Sequence, residues 1–130
     1  MNVCLYRVGR NLNRAYRTCE AFGVRDLLLW ECHGDLKGNL FAAKDRVEMR
    51  EVDEPPGRVA ALETCYEQPV READWRWVDT LLIGGESHEI PKPRTGDYMQ
   101  RLTIPQQGKV SGLTVEAALA VALYEWRRSQ

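Results

Sequence analysis

At 130 residues, with 44% hydrophobic and 28% charged residues, the chain has enough material for one hydrophobic core and too little for two comfortable ones. A net charge of −1 argues against a generic polyanion binder, and no apolar run approaches the 18 or so residues needed to cross a bilayer. The first residues show no secretory pattern, so a cytoplasmic location is expected. Met1 leads into Asn2 to Val8, where Val3, Tyr6 and Val8 predict a first strand. Between Asn11 and Phe22 the apolar Leu12, Ala15, Tyr16, Cys19 and Phe22 recur at helical steps, while Arg10, Arg14 and Arg17 fall on the opposite face. Gly23 reads as the helix C-cap. Leu27 to Cys32 is then a strand apolar on both faces, the pattern of a parallel strand reached by a helical crossover.

His33 to Gly38 reads as loop. Arg46 to Val52 alternates with Val47 and Met49 inside, and Pro55-Pro56-Gly57 interrupts the chain. Arg58 to Cys65 fits either a helix start or a short strand, with the strand or a single turn preferred. Trp75 and Trp77 read either as a stacking platform for bases or as core-edge packing. Val78 to Ile83 is a second buried strand turned by Gly84-Gly85, and Pro91 and Pro93 exclude a helix beyond it. Tyr98 to Ile104 is the last strand, and Val115 to Arg127 a final helix that buries Val115, Ala118, Leu119, Ala122, Leu123 and Trp126. Between them Gly108 and Gly112 offer positive φ or close backbone approach, and Thr114 is placed to cap the helix. This segment reads either as a ligand loop or as a plain strand-to-helix connection.

Charge is unevenly distributed. Residues 1–25 hold five arginines, including Arg7 and Arg25, against Glu20 alone, whereas residues 31–80 hold twelve acidic against seven basic side chains. A local basic face of this kind can hold phosphates on a nearly neutral molecule. Cys4, Cys19, Cys32 and Cys65 are widely separated, without a C-x-x-C or paired histidines, so reduced thiols and no metal site are expected. No glycine-rich phosphate loop is present, which disfavours an unrelated nucleotide-binding domain.

Three stretches, Asn11 to Val24, Leu81 to Ile90 and Ile104 to Val115, resemble in order the three signature motifs of the SpoU (TrmH-like) branch of the SPOUT RNA methyltransferases. The resemblance implies an α/β fold with a mostly parallel sheet flanked by helices, closed by a deep C-terminal trefoil as an α/β-knot. It implies a single methyltransferase domain acting as a homodimer, with S-adenosyl-L-methionine as cofactor and the ribose 2′-hydroxyl of a tRNA or rRNA as methyl acceptor.

The cofactor turns would be Ile83-Gly84-Gly85-Glu86, Ile104-Pro105-Gln106 and Gly112-Leu113-Thr114. Arg17 matches the motif arginine beside the target ribose, and a guanidinium is better suited to binding phosphate and stabilising a forming oxyanion than to acting as a base. Arg10 and Arg14 would extend the RNA-binding face. Asn11 either bonds the nucleotide or caps the helix, and Glu86 would need an arginine partner such as Arg17 or Arg14. Thr114 stands at the polar position of the third motif. The chain departs from the pattern at Val8, Asn13, Ser87, Glu89, Gly112 and Thr114. These departures define the competing reading, a catalytically silent dimer of the same fold that retains RNA binding.

Overall fold

The structure, a computed structural model, describes residues 1–9, 12–32, 46–85, 89–109 and 112–130. The strands are β1 (Asn2–Tyr6), β2 (Asp26–Trp30), β3 (Glu48–Val52), β4 (Val59–Leu62), β5 (Gln68–Pro69), β6 (Thr80–Gly84) and β7 (Gln100–Thr103), and the helices α1 (Leu12–Ala21) and α2 (Val115–Arg128). They form a seven-stranded sheet in the order β3-β2-β1-β6-β4-β7-β5, in which every pairing is parallel. Central Cys4 of β1 stands level with Leu28 of β2 and Leu82 of β6. Both faces of the central strands are covered, which is why their sequences are continuously apolar rather than alternating.

One face packs against the helices. Val3, Leu5, Leu27, Leu81 and Leu102 meet Leu12, Ala15 and Tyr16 of α1 and Leu119 and Leu123 of α2 in a single cluster. Leu119 and Leu123 are fully buried, each contributing about 2 kcal/mol of apolar transfer. Cys4, Tyr6, Leu28, Val59, Ala61 and Leu82 face the other way and pack with Ile90 and Tyr98 from the segment that precedes β7. The Tyr16 hydroxyl donates to the Val47 carbonyl at 2.8 Å, fixing α1 to the start of β3. Gly23 ends α1 at φ +74°, and Arg127 of α2 donates to the freed Phe22 carbonyl at 2.7 Å. No helix among the described residues is long and apolar enough to cross a membrane.

Several boundaries differ from expectation. β1 stops at Tyr6 rather than Val8, and β2 at Trp30 rather than Cys32, because Arg7 and Glu31 adopt positive φ (50° and 52°) and turn the chain off the sheet. Segment 59–62 is a strand, not a helix start, and all four of its residues are buried. Gly108 and Gly112, read as permitting positive φ or close backbone approach, lie outside the left-handed region. Ala118 is half-buried rather than part of the core. Trp75 is buried, whereas Trp77 is 51% exposed with the Arg58 guanidinium 5.5 Å above its ring. The free thiols of Cys4 and Cys19 are buried, and burial pushes both up to about 12.

Candidate functional site

The parallel strands β6, β4 and β7 end side by side, and the first turn of α2 comes down onto their C-terminal ends. Crevices in open parallel sheets form at this edge, where the backbone leaves the sheet and its polar groups are free for a ligand. Here the crevice is a cavity of about 280 Å³. It is lined by Leu62 at the end of β4 with Glu63 and Thr64 after it, by Ile83 and Gly84 of β6 with Gly85 after it, and by Ile104, Gln106, Gly112, Leu113, Thr114, Val115 and Ala118.

Local chemistry explains the shape. Gly85 donates its N–H to the Tyr6 carbonyl at 2.8 Å, and a Cβ on it would stand 2.5 Å from the Arg7 carbonyl oxygen, so only glycine lets the chain after β6 pass this close to β1. Thr114 caps α2 through its side-chain oxygen, which accepts from the Ala117 N–H at 3.4 Å. Ile104 and Gln106 point inward from an extended segment, which turns the intervening Pro105 outward. Leu113 supplies an apolar wall and remains 40% exposed.

Two polar groups in this lining lack a full set of partners. The Gln106 side-chain oxygen is buried without a hydrogen bond among the described residues. Glu63 Oε1 accepts from the Ile90 N–H at 2.8 Å, and burial, reinforced by nearby Glu89, pushes its carboxyl above the ordinary value against that bond. The cavity therefore combines apolar walls, glycine backbone, an amide oxygen without a partner among the described residues and a partly desolvated carboxylate. This set suits the adenosyl group of S-adenosylmethionine, which presents a flat apolar ring system, an exocyclic amine and hydroxyl donors.

Eight of the ten residues expected at the cofactor line the cavity: Ile83, Gly84, Gly85, Ile104, Gln106, Gly112, Leu113 and Thr114. Pro105 does not, because it faces solvent. Glu86, Asn11 and Arg10 lie outside the described residues, as does Ser87. Arg17 is exposed on α1 and forms no ion pair among the described residues, whereas Arg14 reaches Glu116 in the first turn of α2 at 3.1 Å. That ion pair ties the arginine-bearing helix to the helix that closes the cavity. Leu62, Glu63, Thr64, Val115 and Ala118 were not foreseen. The available signal was an apolar strand followed at once by polar Glu63-Thr64, the pattern of a strand end.

A larger depression of about 1270 Å³ lies between segments 53–59 and 91–99. Its lining mixes acidic Asp53, Glu54 and Asp97 with basic Arg58, Lys92 and Arg94, and the Glu54–Arg94 pair stands at 3.6 Å. None of the motif residues lines it.

No protein-family model matches the chain, and no curated protein does. Solved structures do. A protein studied for the 2-OH methylation of C/U34 on tRNA superposes with a TM-score of 0.81 at 28% identity, over 98% of this chain and 93% of its own. The tRNA-modifying enzyme TrmH/SpoU from A. aeolicus gives 0.79 at 23% identity, over 97% of this chain and 73% of its own. The SpoU methyltransferase AviRb from Streptomyces viridochromogenes, solved in complex with AdoMet, gives 0.79 at 20% identity, and this chain spans 60% of its length. The chain has the fold of the TrmH/SpoU RNA methyltransferases.

Proposed function

We propose that this protein is an S-adenosylmethionine-dependent RNA ribose 2′-O-methyltransferase acting on tRNA or rRNA in the cytoplasm. The observation that carries this reading is the cavity at the C-terminal ends of β4, β6 and β7, with glycine backbone on one side and the unpartnered Gln106 amide on the other. The 28% identical neighbour supports it, having been studied for 2-OH methylation of a tRNA nucleotide.

Bound S-adenosylmethionine would supply an electrophilic methyl group, which leaves the chain the tasks of alignment and charge stabilisation. Gly84, Gly85 and Gln106 hold the adenosyl portion between the walls formed by Ile104 and Leu113. Arg17 binds the phosphate next to the target ribose and stabilises the 2′-oxyanion as it forms, a role matched to a guanidinium that stays protonated. Asn11 bonds the nucleotide, Glu86 orients an arginine, and Thr114 holds the start of α2 against the cofactor. Arg10 and Arg14 extend the phosphate-binding face. The motif resemblance implies a C-terminal trefoil knot that packs these turns around the cofactor.

The working unit is a homodimer. Supporting this, α2 exposes Val121 (39%) and Tyr124 (60%) on its outer side, a short apolar surface suited to cover by a second copy.

Titration calorimetry with S-adenosylhomocysteine and methyl transfer to unmodified tRNA and rRNA test the reading together. Arg17→Ala should lower methyl transfer by about a hundredfold or more while leaving cofactor-product affinity unchanged. Transfer at the wild-type rate would remove Arg17 from the chemistry. Absence of binding to the wild-type protein would leave the silent RNA-binding dimer in its place.

A further inference from the structure

Within the cavity Glu63 stands apart. It is the only carboxylate among the described lining residues, it occupies none of the three motifs, and the cofactor reading assigns it no task. Its position is central. β4 lies between β6 and β7 in the sheet, so Glu63 has the Gly84-Gly85 turn on one side and Ile104 and Gln106 on the other. Neighbouring strands are spaced about 4.8 Å apart, comparable to the steps between purine, ribose and sulfonium along an adenosyl compound.

The flanks differ in chemistry. Beyond β7, Ile104 gives an apolar surface and Gln106 a buried amide oxygen without a partner among the described residues, and Leu113, Val115 and Ala118 line the same cavity from the start of α2, a set that complements a purine with an exocyclic amine. On the β6 side, Gly84 and Gly85 adjoin β1, which leads into the arginine-bearing α1. A ligand lying across these ends with its purine toward β7 and its reactive end toward β6 sets its ribose over β4. Glu63 lines the cavity at that strand end. Oε1 is held by the Ile90 N–H at 2.8 Å, and Oε2 makes no hydrogen bond among the described residues.

Resting on the cofactor reading above, we propose that Glu63 binds the ribose diol of the adenosyl group, its Oε2 accepting from a sugar hydroxyl. A carboxylate accepts from two adjacent hydroxyls without competition from donors of its own, and the charged hydrogen bond gains strength where water is partly excluded. The surroundings give it a handle. Burial and the neighbouring Glu89 raise the carboxyl above its ordinary value, and the Ile90 N–H opposes them. Tyr66, a titratable neighbour among the described residues, lies under the Arg101 guanidinium, 5.3 Å from the ring centre. The diol-binding form is the ionised one, so affinity falls as pH drops through the raised value.

The test is calorimetry on wild type and Glu63→Gln, which keeps an acceptor for the Ile90 N–H. The probes are S-adenosylhomocysteine, adenosine, 2′-deoxyadenosine and 3′-deoxyadenosine. Wild type should prefer adenosine to at least one deoxynucleoside by about tenfold, and Glu63→Gln should erase that preference and weaken S-adenosylhomocysteine by about tenfold. As pH falls from neutral through the acid range, wild type should lose affinity for S-adenosylhomocysteine and the variant should not. An unchanged preference for adenosine in the variant, or the same pH profile in both proteins, overturns the assignment while leaving the cofactor reading intact. Failure of S-adenosylhomocysteine to bind wild type overturns both.

Discussion

Asp79 and Glu63 are carboxylates at opposite ends of the same parallel sheet, and their surroundings are opposite too. Asp79 precedes β6 at the N-terminal edge and takes three hydrogen bonds from Arg58: from its backbone N–H at 2.7 Å, its Nε at 2.9 Å and its Nη2 at 3.0 Å. Those bonds hold its carboxyl well below the usual carboxylate range. Glu63 follows β4 at the C-terminal edge, has among the described residues only the Ile90 N–H, and is pushed up by burial.

The same asymmetry runs through the neighbouring groups. At the N-terminal edge the buried Thr80 hydroxyl donates to the Pro56 carbonyl at 2.7 Å and also accepts from the Asn2 amide. Toward the C-terminal edge, oxygens of Asn13, Gln106 and Glu116 are buried without partners among the described residues. Unsatisfied buried polar atoms cost about 1–3 kcal/mol each. One edge is closed by satisfied hydrogen bonds, and the other holds buried oxygens without partners among the described residues, the capacity that the proposed cofactor would use.

The largest expected effect comes from filling the closest approach at the ligand edge. Gly85→Ala places a methyl 2.5 Å from the Arg7 carbonyl oxygen, a backbone atom that cannot rotate away. Overpacking of this sort should destabilise the fold by about 2 kcal/mol in denaturant unfolding and abolish S-adenosylhomocysteine binding. A variant with wild-type stability and affinity would mean that the ends of β1 and β6 are loose, and the contrast between the edges would lose its structural basis.

How far this asymmetry was legible in the sequence depends on the residue. The parallel sheet could be read from Leu27 to Leu29 and Leu81 to Ile83 because strands covered on both faces must be apolar throughout. For the same reason Val59 to Leu62 could not be distinguished from a helix start, since a four-residue apolar run carries no periodicity. The preferred reading, a strand or a single turn, left the end of the element unplaced, so Glu63 was not singled out. The ends of β1 and β2 were displaced because Arg7 and Glu31 take positive φ without being glycine or asparagine, and no composition signal marks them. Gly84, Gly85, Ile104 and Leu113, named through motif resemblance, line the cavity, whereas Pro105, named with them, does not, because neighbouring residues of an extended chain face opposite ways.

A smaller effect should appear at Gln106, and it separates ligand binding from folding. Gln106→Leu removes an unpartnered buried oxygen, so stability should hold or rise by about 1 kcal/mol. Affinity for S-adenosylhomocysteine should fall about tenfold for loss of a hydrogen bond to the purine. If the variant instead unfolds more readily, the amide is a structural group and the reserve capacity at this edge is smaller than argued.

The smallest effect is expected at Asp79, whose exposed setting lets solvent screen the pair, and its sign makes it informative. A carboxylate whose folded value lies below its unfolded one contributes stability that is complete above the unfolded value, near 3.8, and is lost as pH falls through the folded value. Asp79→Asn should therefore lower the unfolding free energy by a constant amount at neutral and mildly acidic pH, and the gap should close only in strong acid. Glu63→Gln should behave oppositely. Because burial raises the Glu63 carboxyl, its ionised form weighs against folding at neutral pH, so this variant should match or exceed wild-type stability there and lose any advantage as the wild-type carboxyl takes up its proton. Parallel urea titrations across pH would reveal the two signs, and a common sign at both positions would dissolve the distinction between a closed edge and an open one.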